Sequence, residues 1–181
     1  MHTKEELYSN KIFFNAALPL VKVIANDVPS LKKQFAHVHA IIQVSAKDPD
    51  APGGKVGMHF VVNSDEGLVH LNKVDPNPHV ELEFKSVEAM NAFFKGKMSP
   101  ATLPKMKGVV THFGAFKAFL MTLLKMSSLL GATEAPKDEA TKELMVKCFF
   151  YLLSSGISQL NKMGHEDIHD WTSKSPDRVY A

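Results

Sequence analysis

The chain has 181 residues, 45% apolar and 22% charged, a balance that excludes a disordered polymer and allows a core without a disulfide or metal staple. Its one cysteine, Cys148, excludes an internal disulfide. One arginine, Arg178, against 20 lysines argues against a sequence-specific nucleic-acid reader, which depends on forked guanidinium contacts.

The net charge of +2 conceals a contrast. Residues 89–133 contain six lysines and no Asp or Glu, which leaves 15 basic against 19 acidic residues elsewhere. A +6 segment is set against a −4 remainder. The same segment holds five of the nine Met and five of the twelve Phe. Lysine-coated, Phe- and Met-rich sequence suits an anionic amphiphile or a membrane surface; the alternative is an ordinary core with a lysine exterior. No run reaches the roughly 18 apolar residues that span a bilayer. Glu5, Glu6, Asn15 and Pro19 spoil any signal-peptide pattern near the start, so the expected location is cytoplasmic.

In chain order, Thr3 and Glu6 form a capping box that opens a first helix, which Pro19 ends or kinks. A short helix follows over residues 29–34. The hydrophobic period then changes to two. Val38, Ala40, Ile42 and Val44 mark one strand; Val56, Met58, Phe60 and Val62 mark a second, after the turn-rich residues 48–54. A third strand is predicted over residues 68–73 and a fourth over 79–84, with Val80, Leu82 and Phe84 inward. A helix over 87–95 stops at Gly96, and a helical turn over 99–107 stops at Gly108. Next come a short strand over 109–113 and a long helix over 115–130. Lys117, Thr122, Lys125 and Ser128 make its polar face, with Ser127 as an exception. A last helix covers residues 138–163, followed by a polar tail. The pattern predicts an α+β fold with one sheet and helices on one side of it.

The run Lys55-Val-Gly-Met-His-Phe60, the strand Val80-Glu-Leu-Glu-Phe84, the stop Gly96-Lys97-Met98 and the stretch Pro100-Ala-Thr-Leu-Pro-Lys-Met-Lys-Gly108 stand in a telling order. With Val110, Gly114 and the apolar helix, they resemble the type-2 sterol carrier proteins over residues 28–131. The resemblance implies a five-stranded, mostly antiparallel sheet covered on one face by helices, with an apolar tunnel between the two. It also implies non-enzymatic binding and transfer of fatty acid, acyl-CoA or sterol-like lipids, with no catalytic residues and no cofactor. Thr111 and His112 depart from the family's glycine-and-polar ending of the last strand. Residues 1–27 then form an N-terminal helix, and residues 132–181 a helical extension and polar tail that acts as a lid or an oligomer contact.

On the residues alone, Met90, Phe93, Phe94, Leu103, Met106, Phe113, Phe116, Phe119, Leu120 and Leu123 line one side of a lipid site. Ile42, Met58, Phe60 and Phe84 on the sheet line the other, the alternative for each being a plain core role. Burying a 16-carbon tail at about 0.8 kcal/mol per methylene gives on the order of 12 kcal/mol gross. Association costs of roughly 4–15 kcal/mol leave moderate affinity and little head-group selectivity. Lys97, Lys105 and Lys107 are the expected contacts to a head group or anionic membrane, as against ordinary solvated lysines.

The strand histidines His37, His39, His59, His70 and His79 are expected on a polar sheet surface rather than around a metal. His165-Glu-Asp-Ile-His169 matches the zinc-protease helix motif, but its context argues for accident, so a metallohydrolase using His165 and His169 is a remote alternative. The nearer alternative is an interaction module whose cavity its own side chains fill. Cys148, among Val146, Phe149 and Phe150, reads as an inert core thiol.

Overall fold

The structure, a computed structural model, describes residues 13–63, 67–94, 96–130, 134 and 136–174, without the side chains of residue 130 and of 159–174. The capping box at Thr3 and the side chains of His165 and His169 therefore lie outside the described residues.

A π-helical turn, Phe13–Ala17, precedes Pro19, and helix α1 (Leu20–Asp27) begins directly after it. Proline at the entrance of a helix costs no hydrogen bond, so Pro19 starts a helix here as well as breaking one. Val28 divides α1 from α2 (Pro29–Phe35) for a related reason: Pro29 forces the residue before it out of the helical region, and Val28 is extended at φ −89° and ψ 111°.

Four alternating segments follow as β1 (Ala40–Lys47), β2 (Lys55–Asn63), β3 (Gly67–Leu71) and β4 (Val80–Phe84). Helix α3 (Val87–Phe94) is capped by Ser86, whose Oγ accepts the Ala89 N–H at 3.1 Å. It ends where Gly96 takes φ +83°, with the Gly96 N–H donating to Phe93 O and the Lys97 N–H to Ala92 O.

The next element departs from expectation. The helical turn closes only at its start, where Ser99 O accepts the Thr102 and Leu103 N–H groups at 2.9 and 3.1 Å, and 109–113 is not a strand; the fifth strand, β5, is Lys105–Lys107. Pro104 removes an N–H and pushes Leu103 out of the helical region, so the chain runs extended just beyond it. Gly108 at φ +70° ends β5, where a Cβ would overlap the carbonyl oxygen of His79. Helix α4 (Phe113–Leu130) and the long helix α5 (Glu139–Lys174) complete the fold, the latter eleven residues longer at its end than its sequence pattern suggests. Asp138 caps α5, accepting the Thr141 N–H at 2.8 Å.

The strand order is β3-β2-β1-β4-β5, an α+β arrangement. β1–β2, β2–β3 and β4–β5 are antiparallel and β1–β4 is parallel, so the sheet is mostly antiparallel. Ile42, Val44, Met58, Phe60, Val62, Val80, Leu82 and Phe84 share the face that meets Val21 of α1, Phe35 of α2, Met90 of α3 and Phe119 of α4. A second apolar cluster lies on the far side of α1, where Leu20, Ile24 and Leu31 meet Leu129, Leu144 and Cys148. Cys148 is buried, and burial pushes its thiol up, as suits an inert core group.

The opposite sheet face is not the solvated surface that alternation suggests. Gln43, Ser45, His59, Glu81 and Glu83 are buried. The β3–β4 connection crosses this face: Lys73 O lies 2.7 Å from the His59 ring and the Asp75 N–H donates to Gln43 at 2.6 Å. His37 and His39 precede β1, and His79 precedes β4, its Nδ1 accepting the Ile41 N–H at 2.9 Å. Among the described residues no three metal-ligating side chains cluster.

Candidate lipid-binding pocket

The sheet and helices enclose no tunnel among the described residues. Ile42, Met58, Phe60, Phe84 and Met90, expected as tunnel walls, fill that space as solid core. Phe60 stacks on Phe119 with ring centroids 5.5 Å apart, and Phe84 meets Phe93 at 5.4 Å and Phe94 at 5.7 Å.

A smaller apolar pocket of ≈ 110 Å³ remains toward the β5 edge. Leu82 of β4 forms its floor, Phe93 and Phe94 of α3 one wall, and Phe116, Phe119, Leu120 and Leu123 of α4 another. Leu103, Pro104 and Met106 close it from the β5 side, and no polar atom lines it. Eight of the expected lining residues thus converge: Phe93, Phe94, Leu103, Met106, Phe116, Phe119, Leu120 and Leu123. Leu82 and Pro104 join them without having been singled out, although Leu82 stands on the inward register of β4. Phe113 does not enter the pocket; it is 60% exposed at the start of α4.

The helix that builds the pocket buries an unexpected face. Thr122, expected among the polar positions of α4, is fully buried and donates its hydroxyl to Ala118 O at 2.8 Å, as helical threonines do when no other acceptor is near. The inward stripe is therefore Ala115, Ala118, Phe119, Thr122 and Leu129. Phe113, Leu120, Met121 and Leu124 are left exposed, joined on the link by Leu103 and Met106. Lys117 is exposed on the same outer side of α4. The pocket therefore opens onto an exposed apolar surface, with Lys117 beside it.

Alternation along β5 sends Met106 to the pocket and Lys105 and Lys107 to the opposite face. There Lys107 Nζ lies 3.2 Å from Glu81 and 3.1 Å from Glu83, while Lys55 Nζ lies 2.8 Å and 2.6 Å from the same two carboxylates. Ser45 Oγ and Gln43 Nε2 donate to Glu81 at 2.6 and 2.9 Å. Burial by itself would raise the Glu81 pKa; the hydrogen bonds from Lys55, Ser45, Gln43 and Lys107 outweigh it and bring the carboxyl down to about 2. Glu83 is lowered chiefly by its hydrogen bond from Lys55. Lys55 is raised against its own burial by the two carboxylates, and Lys107 chiefly by its hydrogen bond to Glu83. Two cations and two anions cancel on this face, so Lys107 adds little to the field of the acid-free segment. Lys97 is exposed just beyond α3.

A larger hollow of ≈ 560 Å³ lies by Lys55, Gly57, Asn15 and Asn72. It is open, and its polar groups serve one another: Asn72 donates to Asn15, and Lys55 is held by the carboxylates. The wholly apolar pocket beside β5 is the better candidate site.

No protein-family model and no curated protein matches the chain. Among solved structures, the chain is similar to the solution structure of a conserved hypothetical protein from Thermus thermophilus, described as "possibly sterol carrier protein". The match has 8% sequence identity and a TM-score of 0.36, and covers 70% of this chain and 86% of that one. No helix among the described residues is long and apolar enough to cross a membrane.

Proposed function

We propose that the protein binds the hydrocarbon part of a lipid in the pocket between α3, α4 and β5 and carries it without a catalytic step. The observation that supports this is an apolar pocket, free of polar lining atoms, that continues onto an exposed apolar surface. A volume of ≈ 110 Å³ is below the roughly 300 Å³ at which ligand pockets begin, and below the ~150 Å³ cavity known to take benzene. A few carbons enter as it stands. The rest of a fatty-acid or acyl-CoA tail lies along Leu103, Met106, Leu120 and Leu124, or the β5 link moves outward to admit it. Lys97 and Lys117, both exposed, then face the head group or an anionic membrane, whereas Lys105 lies with Lys107 on the far face of β5.

The filled space under Phe60 and Phe119 favours a second reading, an interaction module whose interior is its own side chains. One experiment separates the two. Lipid extraction and native mass spectrometry of the purified chain, followed by titration with a fluorescent fatty acid, are expected to show bound lipid and saturable uptake. A lipid-free chain that takes up no probe ends the first reading and leaves the second.

A further inference from the structure

Phe13 stands between the apolar pocket and the larger hollow. Its ring meets Phe94, which lines the pocket, with centroids 4.4 Å apart, and Phe14, which lines the hollow, at 5.3 Å. The sheet beneath repeats the connection. Val56 of β2 lines the hollow, Ala46 of β1 lies beside it in register, and Phe84 of β4 lies beside Ala46 and packs on Phe94. Between Val56 and Phe84 the sheet contributes only an alanine, so the aromatic rings make the partition.

That partition is loosest at Phe13. Its side chain is half-buried, whereas Phe14 is buried. Its backbone opens the π-helical turn, closed by the Leu18 N–H on Phe13 O at 2.8 Å, a wide turn that chains adopt seldom and often at functional sites. A rotamer change at Phe13 breaks its ring contacts with Phe14 and Phe94 and no hydrogen bond.

The hollow beyond suits hydrocarbon rather than a polar ligand. Phe14, Pro52, Val56 and Val74 are its apolar walls. Its polar groups are engaged: Asn15 by Asn72, Lys55 by both carboxylates, and Asp48 by the Asp50 N–H at 3.0 Å. At ≈ 560 Å³ it has the volume for a long tail that the pocket, at ≈ 110 Å³, lacks. From β2 to β5 the path crosses three strand spacings, about 14 Å.

We propose that Phe13 gates a passage from the apolar pocket to the hollow, and that the hollow takes the far end of a long acyl tail whose nearer carbons fill the pocket. The proposal rests on the lipid reading and adds a chain-length preference to it: short tails stop at Phe94, and long ones displace Phe13. Palmitate and octanoate, titrated against the full chain by calorimetry, test it. Each buried methylene strengthens binding about fourfold. Val74→Trp fills the hollow from the β3–β4 connection, so it is expected to weaken palmitate binding by at least about tenfold. Octanoate binding and the thermal midpoint are expected to stay as in the wild type. Phe13→Ala removes two ring contacts and is expected to speed stopped-flow uptake of a long-chain fluorescent fatty acid by at least about fivefold. Undiminished palmitate binding in Val74→Trp, or unchanged uptake in Phe13→Ala, overturns the proposal and leaves the pocket as the lipid site. A wild-type chain that binds neither acid ends the lipid reading itself, and this proposal with it.

Discussion

Glu81 and Glu83 lie on the sheet face away from the helices, and both are buried with both lysines donating to them. Removing one member leaves the others desolvated without compensation, which costs more than the intact group contributes. Glu81→Ala is expected to lower unfolding stability by about 2–4 kcal/mol, below the ceiling for a wholly buried pair because Lys55 and Lys107 retain some solvent. Urea denaturation measures it. The pH dependence follows from the direction of the shift. A carboxylate with a lower pKa when folded holds fewer protons in the native state, so protonation favours unfolding. Wild-type stability is expected to hold above the ordinary value of 4.5 and to fall as pH descends toward about 2. The two lysines, raised above 10.5, contribute below that value, and their contribution is lost as pH climbs beyond it. Urea midpoints from about pH 2 to about pH 6 check the acid arm, and Glu81→Gln is expected to flatten it. This quartet was not legible in the sequence. Lys107 stands 24 and 26 residues from its partners, and they meet only because residues 105–107 form the edge strand beside β4. A segment counted as acid-free along the chain has acids beside it in space.

At the scale of elements, the β5 link decides what the pocket admits. It runs from Gly96 to Gly108, both at positive φ, and its apolar residues Leu103, Pro104 and Met106 form the pocket's outer wall. Leu120→Trp fills the pocket from α4 at a position already 41% exposed, so probe uptake is expected to drop about tenfold or more with the thermal midpoint nearly unchanged. A core role for Leu120 would show the reverse, a lower midpoint with uptake intact. Reversing Lys97 and Lys117 to Glu is expected to weaken docking to anionic vesicles by more than about tenfold, since each lysine near such a surface contributes about 1 kcal/mol. Neutral vesicles are the control. Strands β1, β2 and β4 were legible because one face is wholly apolar, and a period of two leaves little choice of register. The edge strand was not, because three residues, two of them lysine, carry no such pattern. Much of the lining was legible for a related reason: helices α3 and α4 are evident from their periodicity, whereas how deeply they settle onto the sheet is a packing outcome. That depth turned the expected tunnel walls into core.

At the scale of the whole molecule, α1 is the middle layer: Val21 and Ala25 face the sheet, and Leu20 and Ile24 face α5. Leu144→Asp is expected to cost several kcal/mol, because it buries a carboxylate in an apolar cluster; thermal unfolding reads it directly. A chain ending at residue 131 would keep the sheet yet leave Leu20, Ile24, Leu31 and Leu129 uncovered, and it is expected to melt lower and to self-associate. This layering also sets a schedule for the growing polypeptide. Asp27 pairs with Lys147, 120 residues later. At the usual rate of roughly 5–20 residues per second, about 6–24 s separate the emergence of α1 from the arrival of the segment that covers it. Helix α1 thus leaves the ribosome well before the segment that shields it, and its apolar outer edge is a natural handle for a chaperone during that interval.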